Sequence, residues 1–172
     1  MKVRMLTVLI MFLLAGFGQG CWDWFKPAAS DGHMEQTPAP INLLMPKAVR
    51  IHPFTGTRTF EGTGGLKGLN VRIELLDGYG DSAKGFGNFR FELYRFLAYN
   101  NDCKGRKLAT WDVPLMDSKA NLTHWDNITR TYEFKLQWDK PIPVGRRLVV
   151  VAVFTSPFTQ RLFAERVFVA GQ

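Results

Sequence analysis

Thr131-Tyr132-Glu133-Phe134-Lys135-Leu136-Gln137-Trp138 decides the fold class. Tyr132, Phe134, Leu136 and Trp138 alternate with Thr131, Glu133, Lys135 and Gln137. A period of two belongs to a strand with one face in a core and the other in water. The same period recurs upstream. Leu69, Val71, Ile73 and Leu75 alternate with Asn70, Arg72 and Glu74, and Phe89, Phe91 and Leu93 alternate with Arg90, Glu92 and Tyr94. In the latter stretch the phase slips, so that Phe96 replaces Arg95 on the apolar face, which predicts a β-bulge.

Downstream, Arg147–Phe154 is almost continuously apolar, as a central strand covered on both faces would be, and Leu162–Val169 pairs with it as the last strand. Shorter strands are expected at Ala48–His52 and Leu108–Val113. Leu122–Trp125 could add another, although Asp117–His124 could instead hold a short helix. Breakers separate them: Gly62-Thr63-Gly64-Gly65, Asp77-Gly78-Tyr79-Gly80-Asp81, Asn100–Gly105 and Pro141-Ile142-Pro143-Val144-Gly145. The expected fold is all-β, a Greek-key (immunoglobulin- or transthyretin-like) β-sandwich of seven or eight strands spanning residues 47–172, with a barrel as the alternative.

The chain before residue 47 is of another kind. Lys2 and Arg4 precede the uncharged run Met5–Phe17, which is too short to span a bilayer core and suits the h-region of an export signal. Gly16, Gly18 and Gly20 follow, then Cys21, so residues 1–20 are expected to be a lipoprotein-type signal with Cys21 as the lipidated residue. Gly20 fits the position before the cysteine, whereas Gly18 and Gln19 depart from the usual residues there. The alternative is ordinary secretion, with Cys21 free or bridged to Cys103. Residues 21–46, with Trp22, Trp24 and Phe25 and then a Pro- and Ala-rich stretch, suit a flexible tether next to a membrane.

Ile51-His52-Pro53-Phe54-Thr55-Gly56-Thr57-Arg58, Phe89-Arg90-Phe91-Glu92-Leu93-Tyr94, and Pro157-Phe158-Thr159 through Ala164-Glu165-Arg166-Val167-Phe168-Val169 resemble small single-domain bacterial lipoproteins of the planctomycete type. The resemblance covers most of residues 43–170 and implies no activity. A weaker likeness is to the transthyretin-like outer-membrane lipoprotein of type VI secretion, carried by Val71-Arg72-Ile73-Glu74-Leu75, by Phe86 through Tyr94, and by Val149–Phe154. It bears on architecture alone.

The side chains that carry chemistry are scattered. His33, His52 and His124 lie at no spacing that would put two on one face, so no transition-metal site is expected. Asp77, Asp81 and Ser82 share a Gly-bent loop and are the candidate ligands for calcium, which takes hard oxygens, although the same residues also make an ordinary turn. Catalytic nucleophile motifs are lacking, and a glycosidase-like pair would have to come from strand residues such as Glu74 and Glu92. The glycines at 62, 64, 65 and 68 suggest a flexible loop without the elements of a phosphate cradle.

Charge is more informative. The chain has 22 Lys+Arg against 15 Asp+Glu, a net +7. Residues 21–46 hold Lys26 against Asp23, Asp31 and Glu35, a balance of −2, so the excess lies wholly on the folded domain. Lys104, Arg106, Lys107, Arg146 and Arg147, with Phe158, form the candidate binding patch. The sequence therefore reads as a non-catalytic, lipid-anchored protein of the bacterial outer membrane or cell envelope (periplasmic or secreted if unanchored), acting as a binding or assembly module. An envelope protein or acidic polysaccharide would be its partner, and nucleic acid would not. The alternatives are a calcium-assisted carbohydrate or ligand binder and an envelope hydrolase using strand carboxylates.

Overall fold

A computed structural model describes residues 41–60 and 67–171. The signal at 1–20, the lipidation site at Cys21 and the tether as far as residue 40 lie outside the described residues. Two antiparallel sheets pack face to face. One contains β1 (Ala48–Ile51), β2 (Gly56–Thr59), β3 (Lys67–Leu76), β4 (Ser82–Ala83), β7 (Trp125–Asp126) and β8 (Thr131–Gln137). The other is ordered β10 (Leu162–Val169), β9 (Arg147–Thr155), β5 (Gly87–Phe96), β6 (Lys104–Leu115).

The long strands cross between sheets from β3 to β5, from β6 to β8 and from β8 to β9, with hairpins at β5–β6 and β9–β10. That is the immunoglobulin-type Greek key. There are ten strands among the described residues rather than seven or eight. β1 and β2 run in the same direction along one edge of β3, interrupted at His52–Thr55, where β2 resumes two residues out of register. β4 and β7 are only two residues long, too short to show alternation.

The core lies between the sheets and is built from the alternating positions. Leu69, Val71, Ile73 and Leu75 of β3, Tyr132 and Phe134 of β8, and Phe89, Phe91 and Leu93 of β5 are fully buried. Phe91 stands opposite Ala152, which leaves room for Phe91 to meet Phe134 of the other sheet at 4.9 Å between centroids. Each such ring contributes about 1.5–3 kcal/mol by leaving water.

Several local expectations change. Leu122–Trp125 is mostly helical: α2 (Ser118–His124) is capped by Asp117, whose side chain accepts the Ala120 N–H at 2.7 Å. Here α1 denotes the single turn Ile41–Leu44. It lies within the segment assigned to the tether, and Gly78 N–H donates to the Leu43 carbonyl at 2.8 Å. Gly68 is not in a loop but in β3, where a Cβ would stand 2.1 Å from the Leu136 carbonyl oxygen. The register against β6 does shift at Tyr94, but the extra residues lie on β6, and β5 pairs with β9 without a break. Alternation along β5 therefore continues and places Phe96 on the outer face of the four-stranded sheet, with Tyr94, rather than in the core.

Candidate functional site

The outer face of the four-stranded sheet carries most of the candidate residues. Alternation on β9 turns Leu148, Val150, Ala152 and Phe154 inward and Val149, Val151 and Val153 outward. All seven are buried, so the continuous apolar run is explained, although the outward valines face away from the other sheet. Their cover comes from side chains of the same face, joined in charged and cation–π contacts.

Lys104, on one edge strand, reaches Glu165 on the opposite edge strand, Nζ to Oε2 at 2.7 Å. Lys107 Nζ donates to Glu92 Oε1 at 2.6 Å and lies 5.5 Å from the Tyr94 ring centroid. The Arg147 guanidinium stacks 3.7 Å over Phe96. Hydrogen bonds from Lys107 and then Tyr94 hold the Glu92 carboxyl below the usual carboxylate range, and Glu165 raises the Lys104 ammonium above its ordinary value.

The expected basic patch is therefore divided. Lys104, Lys107 and Arg147 are engaged with partners on their own sheet. The side chains of Arg106 and Arg146 have no partner among the described residues, while Phe158 packs on Phe86 at 5.7 Å. Trp111 lies mid-strand in β6. It faces the core side, and its Nε1 donates to the Gln137 carbonyl at 2.7 Å.

Asp77 and Asp81 share the turn before β4, and Ser82 opens β4 itself. Asp77 Oδ1 accepts the N–H groups of Tyr79 at 2.9 Å and of Asp81 at 3.0 Å, and so closes the loop itself. Ser82 turns away and donates to Glu74 Oε1 at 2.7 Å. Among the described residues no three His, Cys, Asp or Glu side chains converge as metal ligands do.

Glu74 and Glu92 do not share a pocket. Glu74 lies on the outer face of the six-stranded sheet, bonded to Arg50 and Ser82, and the core separates it from Glu92 on the outer face of the other sheet. Burial raises the Glu74 carboxyl, but Ser82 and Arg50 outweigh it and leave it below its ordinary value.

A concavity on the same outer face as the valine stripe went unnoticed in the sequence. It encloses about 590 Å³ and is lined by Asn88, Arg90, Asp112, Pro114, Val153, Thr155 and Arg161, among others. Two rows of cross-strand neighbours make its floor. One is Asp112, Arg90 and Val153, which Phe163 of β10 extends beyond the lining; the other is Pro114, Asn88 and Thr155, with Arg161 just before β10 at the same level. Arg90 grips Asp112 through Nε at 2.8 Å and a second nitrogen at 3.3 Å. That hydrogen-bonded pair holds Asp112 below its ordinary value and Arg90 above. Arg161 has no hydrogen-bond or ion-pair partner among the described residues. No protein-family model, curated protein or solved structure matches this chain.

Proposed function

We propose that this chain is a non-catalytic binding or assembly module of the bacterial envelope, held there by a lipid on Cys21 and a tether over residues 21–46. The domain meets its partner through the outer face of the four-stranded sheet. One observation carries the binding half of this reading: on a face where Lys104, Lys107, Arg147 and Arg90 are all engaged, Arg161 stands unpaired at the rim of a concavity. A cation placed among satisfied neighbours is available to an acidic group from outside, and a volume of this order falls within the roughly 300–1,000 Å³ of small-ligand sites. Support for the anchor comes from the Lys2/Arg4 start, the uncharged run to Phe17 and the Gly20-Cys21 junction.

The anchor is tested by growing cells on labelled palmitate and separating detergent and aqueous phases. Label and detergent partitioning in the natural chain, both lost in Cys21→Ala, are expected. A natural chain that stays unlabelled and soluble overturns the anchor.

A further inference from the structure

We infer that the concavity around Arg161 takes a carboxylate-bearing sugar, with Arg161 holding the carboxylate. The inference rests on the binding reading above and names its ligand class. Three features of the site converge on it.

The first is charge. Arg90 and Asp112 neutralise one another, so Arg161 is the cation left over in the concavity, and a guanidinium takes a carboxylate through two parallel N–H donors.

The second is the kind of polar group on offer. The concavity sits over β9, β5 and β6 towards one end of the sheet, where ladders on both sides of β5 and of β9 occupy their backbone N–H and C=O groups. An extended peptide binds by adding a strand to an open edge, and β5 and β9, which carry Asn88, Arg90, Val153 and Thr155, offer none. What remains is the Asn88 amide, the Thr155 hydroxyl and the outward lone pairs of Asp112. These are donors and acceptors that match ring hydroxyls.

The third is the apolar surface. Phe163 is 74% exposed and stands in the same cross-strand row as Val153, Arg90 and Asp112. A ring left in water beside polar groups offers a flat face to the C–H side of a pyranose, and Val153 lies beside it as an apolar floor. A uronic acid joins all three: one carboxylate, several hydroxyls and one apolar face.

The test is calorimetric titration of the full lipid-modified chain in detergent with tetragalacturonate. Its fully methyl-esterified form serves as the uncharged twin, and hexaglutamate as an acidic peptide. Tetragalacturonate is expected to bind, with the ester and the peptide weaker by about tenfold or more, the loss typical of a charged hydrogen-bonded pair. Arg161→Gln reproduces that loss without moving the melting temperature, because the side chain has no internal partner. Phe163→Ala weakens the acid and the ester alike, and Arg106→Gln, outside the concavity, changes nothing.

Several results would overturn the inference: no binding at millimolar tetragalacturonate, an ester that binds as well as the acid, hexaglutamate binding as tightly, or Arg106→Gln costing as much as Arg161→Gln. A chain that fractionates with the envelope yet ignores tetragalacturonate refutes the ligand and leaves the anchor standing. A chain that binds it but is never lipidated does the reverse.

Discussion

Trp111 Nε1 donates a 2.7 Å hydrogen bond to the carbonyl of Gln137, joining an edge strand of one sheet to the other sheet along an open side of the sandwich. Further along β8, the His124 ring bonds the Glu133 carbonyl at 3.1 Å from α2. Carbonyls along the free edge of β8 would otherwise invite another strand, and two side chains occupy them instead.

Trp111→Phe keeps the ring and removes the donor, so a loss of about 0.5–1.5 kcal/mol is expected, read from the urea midpoint at unchanged slope. Trp111→Ala also removes the ring that packs against the core and should cost about 3–5 kcal/mol. Equal costs would show that the hydrogen bond, not the ring, closes this side.

Tyr132 links three elements. Its hydroxyl accepts the buried Gly85 N–H at 2.9 Å and donates to Asn121 Oδ1 on α2. Burial drives its pKa up to about 12. In Tyr132→Phe the Gly85 N–H loses its partner, and a destabilisation of about 1–3 kcal/mol follows. The phenol should also resist ionisation in an ultraviolet alkaline titration until the protein unfolds.

Gly68 has no space for a side chain, because a Cβ would strike the Leu136 carbonyl at 2.1 Å and the Phe60 ring at 2.8 Å. Gly68→Ala must part β3 from β8 locally and should lower stability by about 1–3 kcal/mol, measured by thermal melting. An unchanged melting temperature would mean that this stretch is the mobile loop the glycine spacing suggested.

Acid should loosen the domain along a definite route. Glu92, Asp112 and Asp126 are held below their ordinary values by Lys107, Arg90 and Thr129 respectively, the largest influence on each. A depressed folded pKa contributes stability above the unfolded value, and that contribution is lost as pH falls through the folded one. The melting temperature should therefore hold down to about pH 5 and then fall below the ordinary carboxylate range near 4. In Glu92→Gln the acid limb should be shallower, and a limb as steep as the natural one would remove Glu92 from this account.

The sandwich was legible because alternation survives in β3, β5 and β8, each long enough to show its period, and because β9 reads as one unbroken apolar run. What escaped depended on pairing. Phe96 read as slipping onto the apolar face, but β5 keeps its period against β9, and Phe96 stays with Tyr94 on the outer face under Arg147. Lys104 and Lys107 read as a patch open to partners because Glu165 and Glu92, which engage them, lie 61 and 15 residues away. The concavity was invisible for the same reason. Asp112, Arg90, Val153 and Arg161 become neighbours only when four strands take one register, and none of them stands out in its own segment.

The most direct test of the central claim is a chemical-shift map of the isotopically labelled chain on addition of tetragalacturonate. The account predicts shifts confined to Arg161, Thr155, Asn88, Arg90, Asp112 and Phe163, with Arg106 and Arg146 unmoved. Shifts centred on Arg106 and Arg146, or none anywhere, would contradict it.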